Sequence, residues 1–428
     1  MIAWPILAAK AAGAARIAII VSPDRDISPG LPENTEIIIQ PQPDGTGGAV
    51  RAAETLIRES DTVLVLSGDH PLITAELISE LLTSHETAAA AATVMTAELD
   101  EPGSYGRIVR GAAGEVEGIV EAKQPGDATA EQLAIREINT GTYVFDASAL
   151  AGALAEITNE NSQGEYYLGD VLPIMRAAGG LIAAHLTADP GVNLGVNTRL
   201  ELATVEAQAR RRILEGHMLC GVTITDPGST WIDADVELEP DSRIDPGTTI
   251  RGRSSVGAGT TVGPHTTLID SRIGRNVSVP HSDLVNCDVL DGCSVGPFAY
   301  IRPGTTLREG AKAGTFVEIK NSDVGAGSKV PHLSYIGDTE IGEGSNIGAG
   351  AITANYDGYS KHRTVIGDRV QIGVDTALVA PVDVGDAAYT GAGSVITKNV
   401  PPGALGITRA QQRKIEGYAD RKARESKE

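Results

Sequence analysis

Aromatic side chains are scarce in this 428-residue chain: three Phe, two Trp and ten Tyr make up 4% of it. Together with fifty glycines, that scarcity argues against a core of large rings and for a backbone that turns often around small side chains. Cysteine is almost as rare. Cys220, Cys287 and Cys293 cannot form a disulfide framework, and no C-x-x-C pair offers zinc spacing, which implies a reducing compartment. Cations are outnumbered, with 35 Lys and Arg against 56 Asp and Glu and a net charge of −21. This balance argues against nucleic acid or an acidic membrane as the default partner, although local cations can still gather a small phosphorylated ligand in a cleft. No uninterrupted apolar run is long enough to span a bilayer. The alanine-rich N-terminus does not read as a signal peptide, because Lys10 and Arg16 interrupt it and no basic segment precedes it.

The C-terminal half carries a strong period. Ile232, Leu238, Ile244, Ile250, Val256, Val262 and Leu268 fall six residues apart, with Gly, Ala, Ser and Thr crowded between them. The beat returns at Val289, Val295, Ile301, Leu307, Ile319, Val324, Val330 and Ile336, and again at Ile366, Ile372, Leu378, Val384 and Ile396. Period six fits neither a helix nor a lone strand. It fits a hexapeptide that makes one flat face and turns a corner, so that three faces close a triangular coil and stacked coils share one core. The half from about 225 to 400 therefore reads as a parallel β-helix. Its beat lapses between Ile347 and Ile366, where the polar run "TANYDGYSKHRT" predicts a loop extruded on one face, bringing Asn355, Tyr356 and Lys361 with it.

The N-terminal half alternates apolar runs with helical patterns: a helix over 3–14, strands at "RIAIIVSP" and "TEIIIQP", a glycine turn opening a helix at "QPDGTGGAVRAAETLI", and a buried strand in "DTVLVLSGDHPLI". This predicts an α/β domain with a mainly parallel sheet and ligands at the strand C-termini. Further strands are expected at "YGRIVRG", "GEVEGIVEAK" and "INTGTYVF", with a helix near 147–156. The expected organisation is an α/β domain over 1–196, a charged helical linker over 197–220, and a hexapeptide domain with a charged tail over 221–428.

In order along the chain, "QPQPDGTGGA", "SGDHPLI", "SYGRIV", "EINTG", "NSQGEYYLGDV", "GVNTRLELA", "GPFAYIRPG", "VEIKNS", "HLSYIGD", "NIGAGAITANYDG" and "LVAPVDVG" resemble one family closely. It is the bifunctional bacterial enzyme that makes UDP-N-acetylglucosamine, a cytoplasmic precursor for peptidoglycan and lipopolysaccharide. The resemblance implies a Rossmann-like nucleotidyltransferase domain followed by a left-handed parallel β-helix of hexapeptide repeats. The solenoid would acetylate glucosamine-1-phosphate with acetyl-CoA, and the first domain would join the product to the uridylyl group of UTP with Mg²⁺. It also implies a homotrimer with acetyl-transfer sites between subunits.

Carried over residue by residue, the resemblance makes His332 the base that takes the ammonium proton, a task suited to imidazole because its ordinary pKa of about 6.5 lies near working pH. Arg302 and Lys320 match phosphate-side ligands, and Tyr335 and Asn346 match sugar contacts. Ala349, Asn355, Tyr356, Val374, Ala392 and Arg409 match acetyl-CoA positions. At 374 the family usually has a small hydroxyl residue, so a contact through that hydroxyl is not available to valine. In the first domain Gln40, Gly45 and Thr46 match uracil-side positions, and Ser67, Gly68 and Asp69, at the end of the buried strand, match further substrate-binding positions, as does Asn197. Gly106, Glu121, Asn139 and Thr140 match sugar-side positions, and Asp69 and Asn197 the metal ligands. The family's opening strand and G-x-G-T-R loop are not among these residues. The first domain is accordingly read as incomplete at its N-terminus, with weak uridylyl transfer expected and a misplaced start favoured as the cause. Two other readings use the same domains. A pyrophosphorylase with a solenoid serving only assembly predicts no acetyl-CoA turnover, and a non-catalytic regulatory scaffold predicts that His332 is dispensable.

Overall fold

The computed structural model describes residues 1–23, 31–32, 34–112, 114–122, 124, 126–161 and 163–426. Lys123 of "GEVEGIVEAK" and Ser162 of "NSQGEYYLGDV" lie outside them. Two compact units divide the chain, Met1–Ala209 and Arg210–Glu428. The division falls inside the charged helix Arg199–Leu219.

In the first unit β1 (Ile17–Val21) pairs in parallel with β2 (Thr35–Ile39). A second sheet joins β3 (Thr62–Val65), β4 (Ala92–Glu98), β5 (Arg107–Arg110), β6 (Val116–Val120), β7 (Glu137–Asp146) and β8 (Ile182–Leu186). The expectation of a mainly parallel sheet is corrected here. β7 runs antiparallel to β3, β4 and β5, and β5 antiparallel to β6, while only β4 and β8 pair in parallel. Between β4 and β7 the described residues form the β5–β6 pair and one short helix, Ala130–Leu133, and strands joined without a long crossover pair antiparallel. Helices flank the sheet where capping residues start them. Thr74 Oγ1 accepts from the Leu77 amide to open Ala75–Ala88, which buries Ile78 and Leu81, and Asp146 Oδ1 accepts from the Ala149 amide to open Ala147–Leu154.

The second unit is the left-handed solenoid. Its three parallel sheets have eleven, ten and nine strands, here called the first, second and third faces in the order the chain visits them. Ile244, Ile250, Val256, Val262 and Leu268 are at most 1% exposed and belong to one core running through the coils. Burying a side chain of this size stabilises by about 1.5–3 kcal/mol, so the core is a sum of many equal contributions along the stack. Buried corner hydroxyls satisfy turn carbonyls: Thr248 donates to Asp245 O, Ser254 to Arg251 O and Thr260 to Gly274 O.

Between Leu268 and Val289 the core continues through Ile273, Val279 and Leu284, spaced five or six apart. In the lapse after Ile347, Thr353 takes the inward position at 0% exposure, and its hydroxyl accepts from the Gly337 amide. The chain then leaves the coil as a hairpin before rejoining at Thr364–Ile366. Among the described residues no helix is long and apolar enough to cross a membrane.

Candidate active sites

Parallel stacking places residues one coil apart directly above each other, about 4.8 Å away. On the second face, Tyr300–Ile301, Glu318–Lys320 and Tyr335–Gly337 are consecutive strands in register, with Ile301 opposite Ile319 and Lys320 opposite Gly337. Arg302 and Lys320 thus occupy equivalent places on adjacent coils. Arg302 Nη1 donates to Glu318 Oε1 at 2.6 Å, and Lys320 Nζ lies 3.6 Å from Asp338 Oδ2. Asp338 also accepts from Asn355, which the extruded hairpin returns to the coil at 7% exposure. Gly337 makes room for this group, because a Cβ there would lie 2.5 Å from the Tyr335 hydroxyl and 2.7 Å from Asn355 Nδ2.

Lys361 joins the cluster from the same hairpin. The Lys320 and Lys361 nitrogens meet, and with the Asp338 carboxylate beside it Lys320 lies above the usual lysine value. The same contact with Lys320, with Arg302 adding its charge, pulls Lys361 below it. Three cations therefore converge against the two carboxylates of Glu318 and Asp338, an excess of positive charge that suits an anionic phosphate. Lys361 was named from sequence only as part of a polar loop. Its part in the cluster had no sequence signal beyond being a lysine in a core-repeat lapse.

His332 ends the first-face strand Lys329–His332, three residues before Tyr335 and across one corner from it. It is exposed, and its ring has no hydrogen-bond or ionic partner among the described residues. Its backbone pairs with Thr315. The Gly350 amide donates to His332 O, the Asp375 amide to Ala349 O and the Gly393 amide to Val374 O, so His332, Ala349, Val374 and Ala392 stack on successive coils. Arg409 Nη1 donates to Ala392 O at 3.2 Å and extends the stripe. Tyr356 is 61% exposed beside Asn355. Asn346 stands apart. It pairs with Lys329 and Gln371 on the first face, whereas Arg302, Lys320 and Tyr335 lie on the second.

Beside His332 runs a ladder of corner residues with positive φ, namely His265, His281, Phe298, Phe316 and Leu333. The Phe298 and Phe316 rings stack at 5.3 Å. Both rings and Leu333 are more than half exposed. Sequence reasoning missed this ladder, since bulky residues seldom adopt left-handed backbone.

In the first unit Gln40 follows β2 and donates to Asp44 Oδ1 and Gly45 O. Gly45 has φ +108, and a Cβ there would lie 2.5 Å from Tyr166 O. Thr46 Oγ1 accepts from the Leu168 amide. Ser67 Oγ lies 3.5 Å from Gly141 O, and Gly68 and Asp69 follow. The Asp69 side chain is 45% exposed, with His70 Nε2 at 4.0 Å, and the Val196 amide donates to Asp69 O, bringing the exposed Asn197 onto the adjoining segment. Gly106 O accepts from the Asn139 amide, and Asn139 Nδ2 donates to the Tyr143 hydroxyl. Glu121 follows β6, and burial first, then the Glu121 charge, raises Asp170 above the usual carboxylate value. Thr140 is 1% exposed and donates its hydroxyl to Met95 O, so that side chain is turned into the core.

Asp69 and Asn197 offer oxygen donors only, and no group of three or more His, Cys, Asp or Glu side chains placed to hold a metal occurs among the described residues. That donor set fits a hard divalent cation that keeps water and takes substrate phosphate as further ligands.

Comparison with known proteins agrees with both halves. The nucleotidyl transferase family profile matches residues 2–191. The chain is 45% identical to the bifunctional protein GlmU of Mycolicibacterium vanbaalenii over 96% of this chain and 85% of that protein. It is 46% identical to that of Pseudarthrobacter chlorophenolicus over 98% and 86%, and 50% identical to that of Kineococcus radiotolerans over 89% and 77%. With identity at this level running through both the α/β unit and the solenoid, the chain belongs to the family of the bifunctional protein GlmU.

Proposed function

We propose that the chain serves UDP-N-acetylglucosamine biosynthesis by two transfers, with acetyl transfer at the corner between the first and second solenoid faces. The observations that carry this are the His332 imidazole, unpartnered among the described residues at the corner where the second face begins, and the Arg302–Lys320–Lys361 cations gathered on that face. The cations hold the phosphate of glucosamine-1-phosphate, and Tyr335 and Asn355 border the sugar. Acetyl-CoA lies along the Ala349–Val374–Ala392 stripe, whose small side chains leave room for it, with Arg409 at its far end. His332 takes a proton from the substrate ammonium and the freed amine attacks the thioester carbonyl. A C–N bond forms and the C–S bond breaks; the second proton of the attacking nitrogen goes to the leaving CoA thiolate, and the first passes from His332 to solvent.

In the first unit Gln40, Gly45 and Thr46 border the uracil, Gly106, Glu121 and Asn139 the sugar, and Asp69 and Asn197 hold Mg²⁺. When bound, the ion offsets the phosphate charge. A homotrimer is part of this reading, and the place of Asn346 supports an assembly: a sugar held by all the matched residues needs the first face of one copy against the second face of another. The exposed Phe298, Phe316 and Leu333 give such an interface an apolar edge. A reducing cytoplasm suits the three free thiols.

The test is to incubate the purified chain with glucosamine-1-phosphate and acetyl-CoA, then separately with UTP, Mg²⁺ and N-acetylglucosamine-1-phosphate. Thiol release in the first mixture is expected to survive Asp69→Ala, while UDP-sugar formation in the second is expected to be lost in that variant. No thiol release from the unsubstituted chain overturns the acetyl-transfer reading.

A further inference from the structure

The hairpin that delivers Lys361 is held by one acid. Asp357 Oδ1 accepts from the amides of Tyr359 and Ser360, and Asp357 Oδ2 lies 2.7 Å from His362 Nε2. The His362 amide donates to Asn355 O at 2.8 Å, and Tyr356 bridges to Lys361. Both legs of the hairpin therefore close on the Asp357–His362 pair, and Lys361 is the residue immediately before that tie. Left alone, Lys361 has an electrostatic reason to leave, because the charges of Lys320 and Arg302 act against its own and Asp338 offsets them only in part. An exposed lysine side chain also has much rotamer freedom to regain. Something must hold the backbone beneath it in place.

We infer that His362 is a positioning residue for the sugar-phosphate site: its ring, bonded to the Asp357 carboxylate, closes the 355–362 hairpin and holds Lys361 beside Lys320 and Arg302. It touches neither substrate. It sets how often the third cation stands ready, so its loss weakens capture of the phosphate more than the acetyl-transfer step. The inference rests on the acetyl-transfer reading of the solenoid.

The experiment follows thiol release at varied glucosamine-1-phosphate in the full chain and in His362→Ala, His362→Gln, Lys361→Ala and the Lys361→Ala/His362→Ala double variant. His362→Ala is expected to raise KM for the sugar phosphate about tenfold with kcat within about twofold, the signature of lost ground-state binding. His362→Gln, whose amide nitrogen can still donate to Asp357, is expected to restore most of the affinity. In the Lys361→Ala background, adding His362→Ala is expected to change KM little, because the tie then holds nothing. An unchanged KM in His362→Ala, or equal losses with and without Lys361, overturns the tie while leaving acetyl transfer intact. A merely structural role would lower kcat and melting temperature together and would not vanish in the double variant. Absence of thiol release from the unsubstituted chain overturns the tie together with the reading beneath it.

Discussion

Gly337 shows how a single hydrogen atom shapes the proposed sugar-phosphate site. With the Tyr335 hydroxyl and the Asn355 amide both under 3 Å from where a Cβ would stand, Gly337→Ala must displace both of them. The backbone at 337 needs no left-handed φ, so the expected loss falls on substrate affinity: KM for glucosamine-1-phosphate rises while the melting temperature changes little. An unchanged KM would mean that Tyr335 and Asn355 do not border the sugar. Lys361 gives a second test. Its ammonium is held below the ordinary lysine value by contact with Lys320, so it loses its proton earlier as pH rises, and the bound dianion favours returning it. KM should therefore climb on the alkaline side of the profile, and Lys361→Arg, which stays charged, should move that climb to higher pH. Residues with motif-scale context, such as His332 in "HLSYIGD", were legible as candidates from sequence. Lys361 and His362 were not, because their roles come from a hairpin closing on itself rather than from a repeat.

At the scale of elements, a strict hexapeptide beat announces inward side chains wherever a coil closes with three six-residue faces. It fails where a face shortens to five residues, as at Ile273 and Leu284, or where a hydroxyl bonded to backbone replaces an aliphatic, as at Thr353. Strand direction in the α/β unit was less legible. Apolar runs predict strands but carry no mark of direction, and the β5–β6 hairpin turned part of the expected parallel sheet antiparallel. Between coils, ion pairs on the outer faces tie successive turns together. Arg275 reaches across two coils to hydrogen-bond Glu239 and holds its carboxyl down at about 2. A depressed carboxylate contributes stability above its unfolded value, about 4.3, and loses it as pH falls toward 2. Melting of the solenoid is expected to fall over that window, and Glu239→Gln should lower stability at neutral pH while flattening the acid decline. A variant with the full acid decline would remove this pair from the account.

At the scale of the whole molecule, the question is how many copies make a site. Asn346 and the Arg302–Lys320–Tyr335 group occupy different faces of the same solenoid, and the apolar corner at Phe298, Phe316 and Leu333 is exposed. Sedimentation equilibrium is expected to give three times the chain's 44.3 kDa, and Phe316→Asp to shift the mass toward one chain and reduce acetyl transfer with it. A monomer with full turnover would show that one copy suffices and that Asn346 takes no part. The most direct measurement concerns His332 itself: thiol release from acetyl-CoA with saturating glucosamine-1-phosphate, comparing the unsubstituted chain with His332→Ala. Loss of a general base predicts a fall in kcat of about 10²–10⁴-fold with trimer mass and melting temperature unchanged. Turnover within a few-fold of the unsubstituted chain would contradict the central claim that this imidazole takes the amine's proton.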